Sequence, residues 1–185
     1  MLNRLKYHFF KFFRPLMYRV TSLHGQKLKS VRLGNTTQVS SWDNLFLSDL
    51  VYIGHYCFID SSQKITIGKG VQICGWTSIL NHSSHIAIRL YGENYNQDNM
   101  KAYNLGSVEI GDFTFIGPHS IVMPNSKIGK GVLISAYSYV EGDIPDFAIV
   151  GGNPAKIIGD TRTMDEKYLI EFPELRKNYD NWAKK

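Results

Sequence analysis

Residues 108–140 read VEIGDFTFIGPHSIVMPNSKIGKGVLISAYSYV, and within this stretch an aliphatic residue recurs at every sixth position. An α-helix would show a period of 3.6 and a hairpin sheet a period of two, so a period of six predicts short strands separated by tight corners. Three such hexads form one triangular coil of 18 residues. The pairs expected to stack in successive coils are Ile110 with Ile128, Ile116 with Ile134, and Val122 with Val140.

The same period extends toward the N-terminus with two-residue slips. Leu47, Ile53, Ile59 and Ile65 keep the step, Ile67, Ile73 and Ile79 keep it after a slip, and Leu33 and Val39 keep it further upstream. The residue after the aliphatic one is often Gly, which suits a corner where backbones approach closely. These patterns together predict an all-β solenoid, a parallel β-helix.

The two cysteines, Cys57 and Cys74, lie within the repeats. These positions suit small buried side chains, so we expect free thiols rather than a disulfide. Free thiols are typical of a cytoplasmic protein.

The positive charge of the chain is concentrated at its N-terminus. The net charge is +5, but the first 42 residues contain eight Lys and Arg and no Asp or Glu, which leaves 13 basic and 16 acidic residues in the remainder. A mildly acidic body argues against a nucleic-acid groove across it.

Both ends of the chain are predicted to be helical. From residue 2 to 23, apolar residues recur at spacings of three and four among basic ones, which predicts an amphipathic helix. This helix either packs on protein or lies on an anionic membrane surface, and no stretch is apolar enough for a spanning anchor. The periodic segment from Met164 to Trp182, interrupted at Pro173, is expected to cap the other end of the solenoid.

The stretch from Ile65 to Gly159 resembles the hexapeptide-repeat acyltransferases, in particular the maltose and galactoside O-acetyltransferases and the surface-polysaccharide O-acetyltransferases. Three features carry the resemblance: the Ile-Gly hexads, the interruption NHSSH at 81–85, and the closing GGNPAK at 151–156. The resemblance implies a left-handed β-helix, a homotrimer with sites between subunits, and acetyl-CoA as the acyl donor with no metal required.

By this resemblance, a histidine on the loop that interrupts the repeats is the general base. The best match is His82, and His85 on the same loop is its rival. An acceptor hydroxyl is a poor nucleophile until a base that works near neutral pH removes its proton, and imidazole is such a base. The alternative is a surface-loop histidine without a role.

The resemblance also implies where acetyl-CoA binds. The cofactor residues carried over are Gly117, Pro118, Ser135 and Ala136 along the pantetheine and Asn153, Pro154, Ala155 and Lys156 at the nucleotide end. Lys156 would supply a cation for the phosphates. The sequence departs from the family at Glu141-Gly142, where relatives often have Thr-Lys.

The interrupting loop, residues 81–107, is long for a compact domain and is expected to be functional. Tyr91, Tyr95 and Asn94 are candidate acceptor-binding residues, because aromatic faces pack on sugars and amides bond to their hydroxyls. The equally open alternative is that this loop merely packs on a neighbouring subunit.

Other classes share this solenoid. In γ-type zinc carbonic anhydrases three histidines bind the metal, and His82, His85 and His119 invite that comparison, but the usual third ligand is absent. A non-catalytic trimeric scaffold would not need the loop histidines and the Gly-Asn-Pro-Ala-Lys segment together.

The sequence therefore predicts a basic N-terminal helix at 1–30, a β-helix at 31–160 with its inserted loop at 81–107, and a helical segment at 161–185. The expected activity is acetyl-CoA-dependent O-acetylation of a sugar or glycan precursor, in the cytoplasm or at the inner face of the membrane. N-acetylation of an amino sugar and acetylation of an antibiotic are alternatives on the same fold.

Overall fold

The computed structural model describes residues 14–96 and 101–184. Most of its strands are two or three residues long, as corners at every sixth position require. The strands are β1 (Met17–Leu23), β2 (Gln26–Gly34), β3 (Gln38–Val39), β4 (Leu45–Leu47), β5 (Tyr52–Ile53), β6 (Phe58–Ile59), β7 (Ile65–Ile67), β8 (Gln72–Ile73), β9 (Ser78–Ile79), β10 (His82–Ser83), β11 (Asn104–Leu105), β12 (Val108–Ile110), β13 (Phe115–Ile116), β14 (Ile121–Val122), β15 (Lys127–Ile128), β16 (Leu133–Ile134), β17 (Tyr139–Val140), β18 (Asp143–Ile144), β19 (Ala148–Gly151) and β20 (Lys156–Asp160).

The short strands form the three faces of a prism. Face A is the sheet β1-β2-β5-β8-β13-β16-β19-β20, face B is β17-β14-β9-β6-β3, and face C is β18-β15-β12-β7-β4. Neighbouring strands within the coils are parallel, and the pairs β1–β2 and β19–β20 at the ends of face A are antiparallel. The predicted fold class, a parallel β-solenoid, is confirmed.

The aliphatic columns of the repeat form the core. Ile110 pairs with Ile128, Ile116 with Ile134 and Val122 with Val140, as the 18-residue coil predicts. Ile116, Ile134 and Val140 have no exposed surface. Burial of each such side chain stabilises the fold by roughly 1.5–3 kcal/mol before ordering entropy is subtracted.

The coils before the insertion are longer than predicted. Ile53 pairs with Ile73 and Ile59 with Ile79, which gives coils of 20 residues rather than 18. The difference arises on face C, where β7 spans three residues and points both Ile65 and Ile67 into the core. The two-residue slip in the repeat is therefore a longer strand.

The predicted N-terminal helix is wrong over its described residues, because β1 and β2 form an antiparallel hairpin there. The connecting residues His24 and Gly25 both have positive φ, the two-residue turn that matches the twist of a hairpin. The β-branched Val20 and Thr21 also favour an extended strand. Residues 1–13 of the predicted helix lie outside the described residues.

The C-terminal segment folds back onto the corner between faces C and A. It contains α2 (Thr161–Glu171), a 3-10 turn at Pro173–Leu175, and α3 (Arg176–Ala183). The ring of Trp182 lies 4.7 Å from that of Phe113 and 5.8 Å from that of Phe147. Within the described ranges, no helix is long and apolar enough to cross a membrane.

Candidate active site

The inserted loop leaves the solenoid at the corner between faces B and C and returns to the same point. Strand β10 pairs with β11, with His82 opposite Leu105. The buried Asn81 joins both ends of the loop: its carbonyl accepts the N–H of Gly106 at 2.9 Å, and its Nδ2 donates to the Gly106 carbonyl at 2.7 Å. The side-chain oxygen of Asn81 also accepts the N–H of Gln63 at 3.1 Å. A buried amide with hydrogen bonds at both its oxygen and its nitrogen fixes the position of the residue that follows it, His82.

His82 is held by a buried carboxylate from the preceding coil. Its Nδ1 lies 2.5 Å from Oδ2 of Asp60, and the side chain of Asp60 is only 3% exposed while that of His82 is 43% exposed. The same Oδ2 accepts the N–H of Asn81 at 3.3 Å. Asp60 therefore sits beneath the loop and orients the imidazole outward.

This contact assigns the protonation of the ring. A carboxylate accepts the proton on Nδ1, so the neutral imidazole carries its free electron pair on Nε2. Nε2 makes no hydrogen bond to any other described residue. His82 is thus arranged as a base whose working nitrogen faces away from its partner.

His85 has a different environment. Its Nδ1 lies 2.8 Å from the hydroxyl of Ser83, and its carbonyl accepts a hydrogen bond from Arg89. A hydroxyl does not stabilise a developing imidazolium as a buried carboxylate does. The geometry favours His82 over His85 as the base.

A residue outside the predicted acceptor set covers the ring of His82. The ring of Tyr103 stacks on that of His82 at 5.7 Å and 11°. Burial raises the pKa of Tyr103, and the charges of Tyr95 and Asp60 raise it further. Tyr91 sits on α1 (Ala87–Tyr91), where its hydroxyl accepts the N–H of Lys101 at 2.9 Å, and Asn94 is exposed on the turn that follows.

The predicted cofactor residues lie together at the corner between faces A and B. A Cβ on Gly117 would come within 2.5 Å of the Ala136 nitrogen, so this glycine allows the two coils to stack. Ser135 stacks against Gly151 in the next coil. The segment 153–156 continues this corner, with the Ala155 N–H donating to Tyr139 at 2.8 Å and Lys156 exposed on β20.

A single chain does not bring these two groups together. His82 lies on the loop that leaves the solenoid at the corner between faces B and C, whereas Gly117 and Ser135 lie at the corner between faces A and B. A face of the prism separates the base from the cofactor residues of its own chain.

The three histidines of the zinc comparison are not grouped within the chain. The ring of His119 is stacked between Trp76 and Tyr137, with centroids at 5.9 Å and 4.8 Å, at the corner between faces A and B. Among the described residues, no three His, Cys, Asp or Glu side chains are placed to hold one metal ion. Both cysteines are free thiols.

A cleft of about 880 Å³ lies over face C, and none of the predicted site residues lines it. Thr66, Glu109 and Lys127 are among its walls. Two carboxylates at its edge are committed to the backbone, since Asp112 accepts the N–H of Lys69 and Asp146 that of Lys130.

Sequence reasoning missed three residues of this site: Asp60, the structural role of Asn81, and Tyr103. Asp60 had a signal in the sequence. Asp60 follows Ile59, at the position where Gly is common in the other repeats. Once Ile59 is aligned with Ile79, that Asp falls beside the start of the loop.

A solenoid of this kind with a loop-borne histidine is similar to the hexapeptide-repeat transferases. Residues 107–142 match the family model described as bacterial transferase hexapeptide (six repeats). The resemblance predicted from the repeats is confirmed.

Several relatives extend the similarity. The putative lipopolysaccharide biosynthesis O-acetyl transferase WbbJ of Escherichia coli is 32% identical over 62% of this chain and 59% of its own length. The chain spans about half the length of the curated relatives it matches.

Solved structures share the fold. A maltose O-acetyltransferase from Clostridium difficile 630 has a TM-score of 0.60 and 25% identity, over 73% of this chain and 67% of its own. A hexapeptide-repeat acetyltransferase from Vibrio cholerae O1 biovar eltor, complexed with acetyl coenzyme A, has a TM-score of 0.62 and 19% identity, over 72% and 69%.

Proposed function

We propose that this chain is an acetyl-CoA-dependent O-acetyltransferase that acts on a hydroxyl of a sugar or glycan precursor, with His82 as general base. The observation that carries the proposal is the His82–Asp60 pair at the one large interruption of a hexapeptide solenoid. The relatives named as O-acetyltransferases, and the acetyl-CoA complex of a protein with the same fold, support the donor and the reaction class.

The chemistry follows from the arrangement of the pair. Nε2 of His82 removes the proton of the acceptor hydroxyl as the oxygen attacks the thioester carbonyl. Asp60 stabilises the imidazolium that forms and keeps its Nδ1 proton in place. When the C–S bond breaks, His82 returns the proton to the leaving thiolate. Acetyl-CoA supplies the activated acetyl group.

We propose a homotrimer, because base and cofactor residues lie at different corners of one chain. His82 of one subunit would then face Gly117, Ser135 and Lys156 of the next. Sedimentation equilibrium should give three times the mass of the chain. A monomer that is fully active would contradict this assembly.

The basic N-terminal segment is proposed to contact the inner face of the membrane, near envelope glycan precursors. Its residues 1–13 lie outside the described part of the chain, so the charge pattern alone supports this contact. A cytoplasmic location agrees with the free cysteines.

The direct test incubates the protein with acetyl-CoA and a panel of sugars, nucleotide sugars, amino sugars and antibiotics while the released thiol is followed. We expect thiol release with a hydroxyl sugar and none with its fully O-methylated derivative, which cannot accept. Release only with amino sugars or with an antibiotic would favour those alternatives.

Thermal unfolding provides an independent readout of cofactor binding. CoA at a hundredfold excess over its Kd should stabilise the native state by about 2.7 kcal/mol. An unchanged midpoint together with no thiol release from any acceptor would contradict the proposed function and favour a scaffold.

A further inference from the structure

Tyr103 covers one side of the candidate base. Its ring is nearly parallel to that of His82, with an angle of 11° and a centroid distance of 5.7 Å. Tyr103 is half-buried, and it immediately precedes β11, whose Leu105 pairs with His82. The backbone therefore brings the two rings together as a consequence of the β10–β11 pairing.

This placement is held from both ends of the insertion. Asn81 precedes His82 and Gly106 follows β11, and the two residues are joined by the pair of hydrogen bonds of 2.9 and 2.7 Å. A second link joins the returning strand to the next coil, since Asn125 donates to the side-chain oxygen of Asn104 at 3.0 Å. Tyr103 thus lies directly beside a fixed strand.

We propose that Tyr103 is a positioning residue for His82: its ring face holds the imidazole in the orientation that keeps Nδ1 on Asp60, and it favours the imidazolium formed during acyl transfer. The proposal rests on the proposed function of His82. Its physical basis is twofold, because a stacked ring removes alternative side-chain rotamers, and an aromatic face within about 6 Å attracts a cation. Asp60 contacts the imidazole edge and Tyr103 covers its face, so the two restraints act in different directions.

The tyrosine hydroxyl is not required for this role. Burial and the neighbouring Tyr95 and Asp60 raise the pKa of Tyr103, so the phenol stays neutral at the pH where the base works. A neutral ring keeps the electron-rich face that a cation prefers. Phenylalanine should therefore replace Tyr103, and an aliphatic residue should not.

The test compares Tyr103→Phe with Tyr103→Leu in the full chain. We expect Tyr103→Phe to stay within about twofold of the parent kcat and Tyr103→Leu to lose about tenfold, with the KM for acetyl-CoA unchanged in both. Tyr168→Leu, on the exposed side of α2, is the matched control and should match the parent. A Tyr103→Leu variant with parental kcat, or equal losses in both variants, would overturn the proposal.

A second readout does not depend on turnover. In protein labelled at histidine, the ring protons of His82, identified with a His82→Gln variant, should show the ring-current shift of a stacked tyrosine. That shift should persist in Tyr103→Phe and disappear in Tyr103→Leu. If the shift is present but no acceptor is acetylated, the proposed function fails while the stacking stands; if it is absent from the parent chain, the positioning role fails.

Discussion

The His82→Ala variant will lose roughly 10²-fold or more in kcat, because in the proposed mechanism His82 takes the proton of the acceptor as the thioester is attacked. Binding of acetyl-CoA should be nearly unchanged, since the predicted cofactor residues lie at another corner of the prism. The measurement is steady-state release of thiol, paired with a thermal shift by CoA. This separation of catalysis from binding distinguishes a base from a residue that shapes the cofactor site.

His85→Ala is the informative comparison. Its Nδ1 contacts only the Ser83 hydroxyl, so we expect less than a tenfold change in kcat. If His85→Ala instead causes the large loss and His82→Ala does not, the base is His85 and the Asp60 contact is structural. Similar melting midpoints of the two variants would show that neither result is due to unfolding.

The repeat predicted most of the fold because each six-residue step places one aliphatic side chain in the core. A period is a local property of sequence, and the pairs Ile110–Ile128 and Ile116–Ile134 followed from it directly. The N-terminal hairpin was missed because Met17 and Val20 also fit helical spacing. The extended conformation of β1 depends on its pairing with β2. Pairing partners are not visible in a local pattern.

The site was predicted in part for the same reason. The NHSSH interruption located His82 and His85, since a break in a strict repeat is visible in sequence. The choice between the two histidines was not visible in the sequence, because that choice depends on Asp60. This residue is 22 positions before His82 and becomes its neighbour only when the coils stack. Tyr103 is separated from His82 by the whole insertion and is brought back by β11.

Asp60→Asn tests the second half of the pair and should lower kcat roughly 10²-fold. The amide keeps the shape of the carboxylate and can still accept the Asn81 N–H, so the loop should stay in place. It lacks the charge that stabilises the imidazolium formed on His82. The KM for acetyl-CoA should change little, as for His82→Ala.

Asp112→Asn is the matched control for this prediction. Asp112 also accepts a backbone N–H, from Lys69 at 2.7 Å, but it lies on the far side of face C from the loop. Asp112→Asn makes the same change in charge and shape as Asp60→Asn, and we expect it to keep the parental kcat.

The double variant His82→Ala/Asp60→Asn measures the coupling between the two residues. If they work as one unit, the double variant should be barely slower than His82→Ala alone. Multiplicative losses in the double variant would mean that Asp60 acts independently of His82. The two residues could then not work as one catalytic unit.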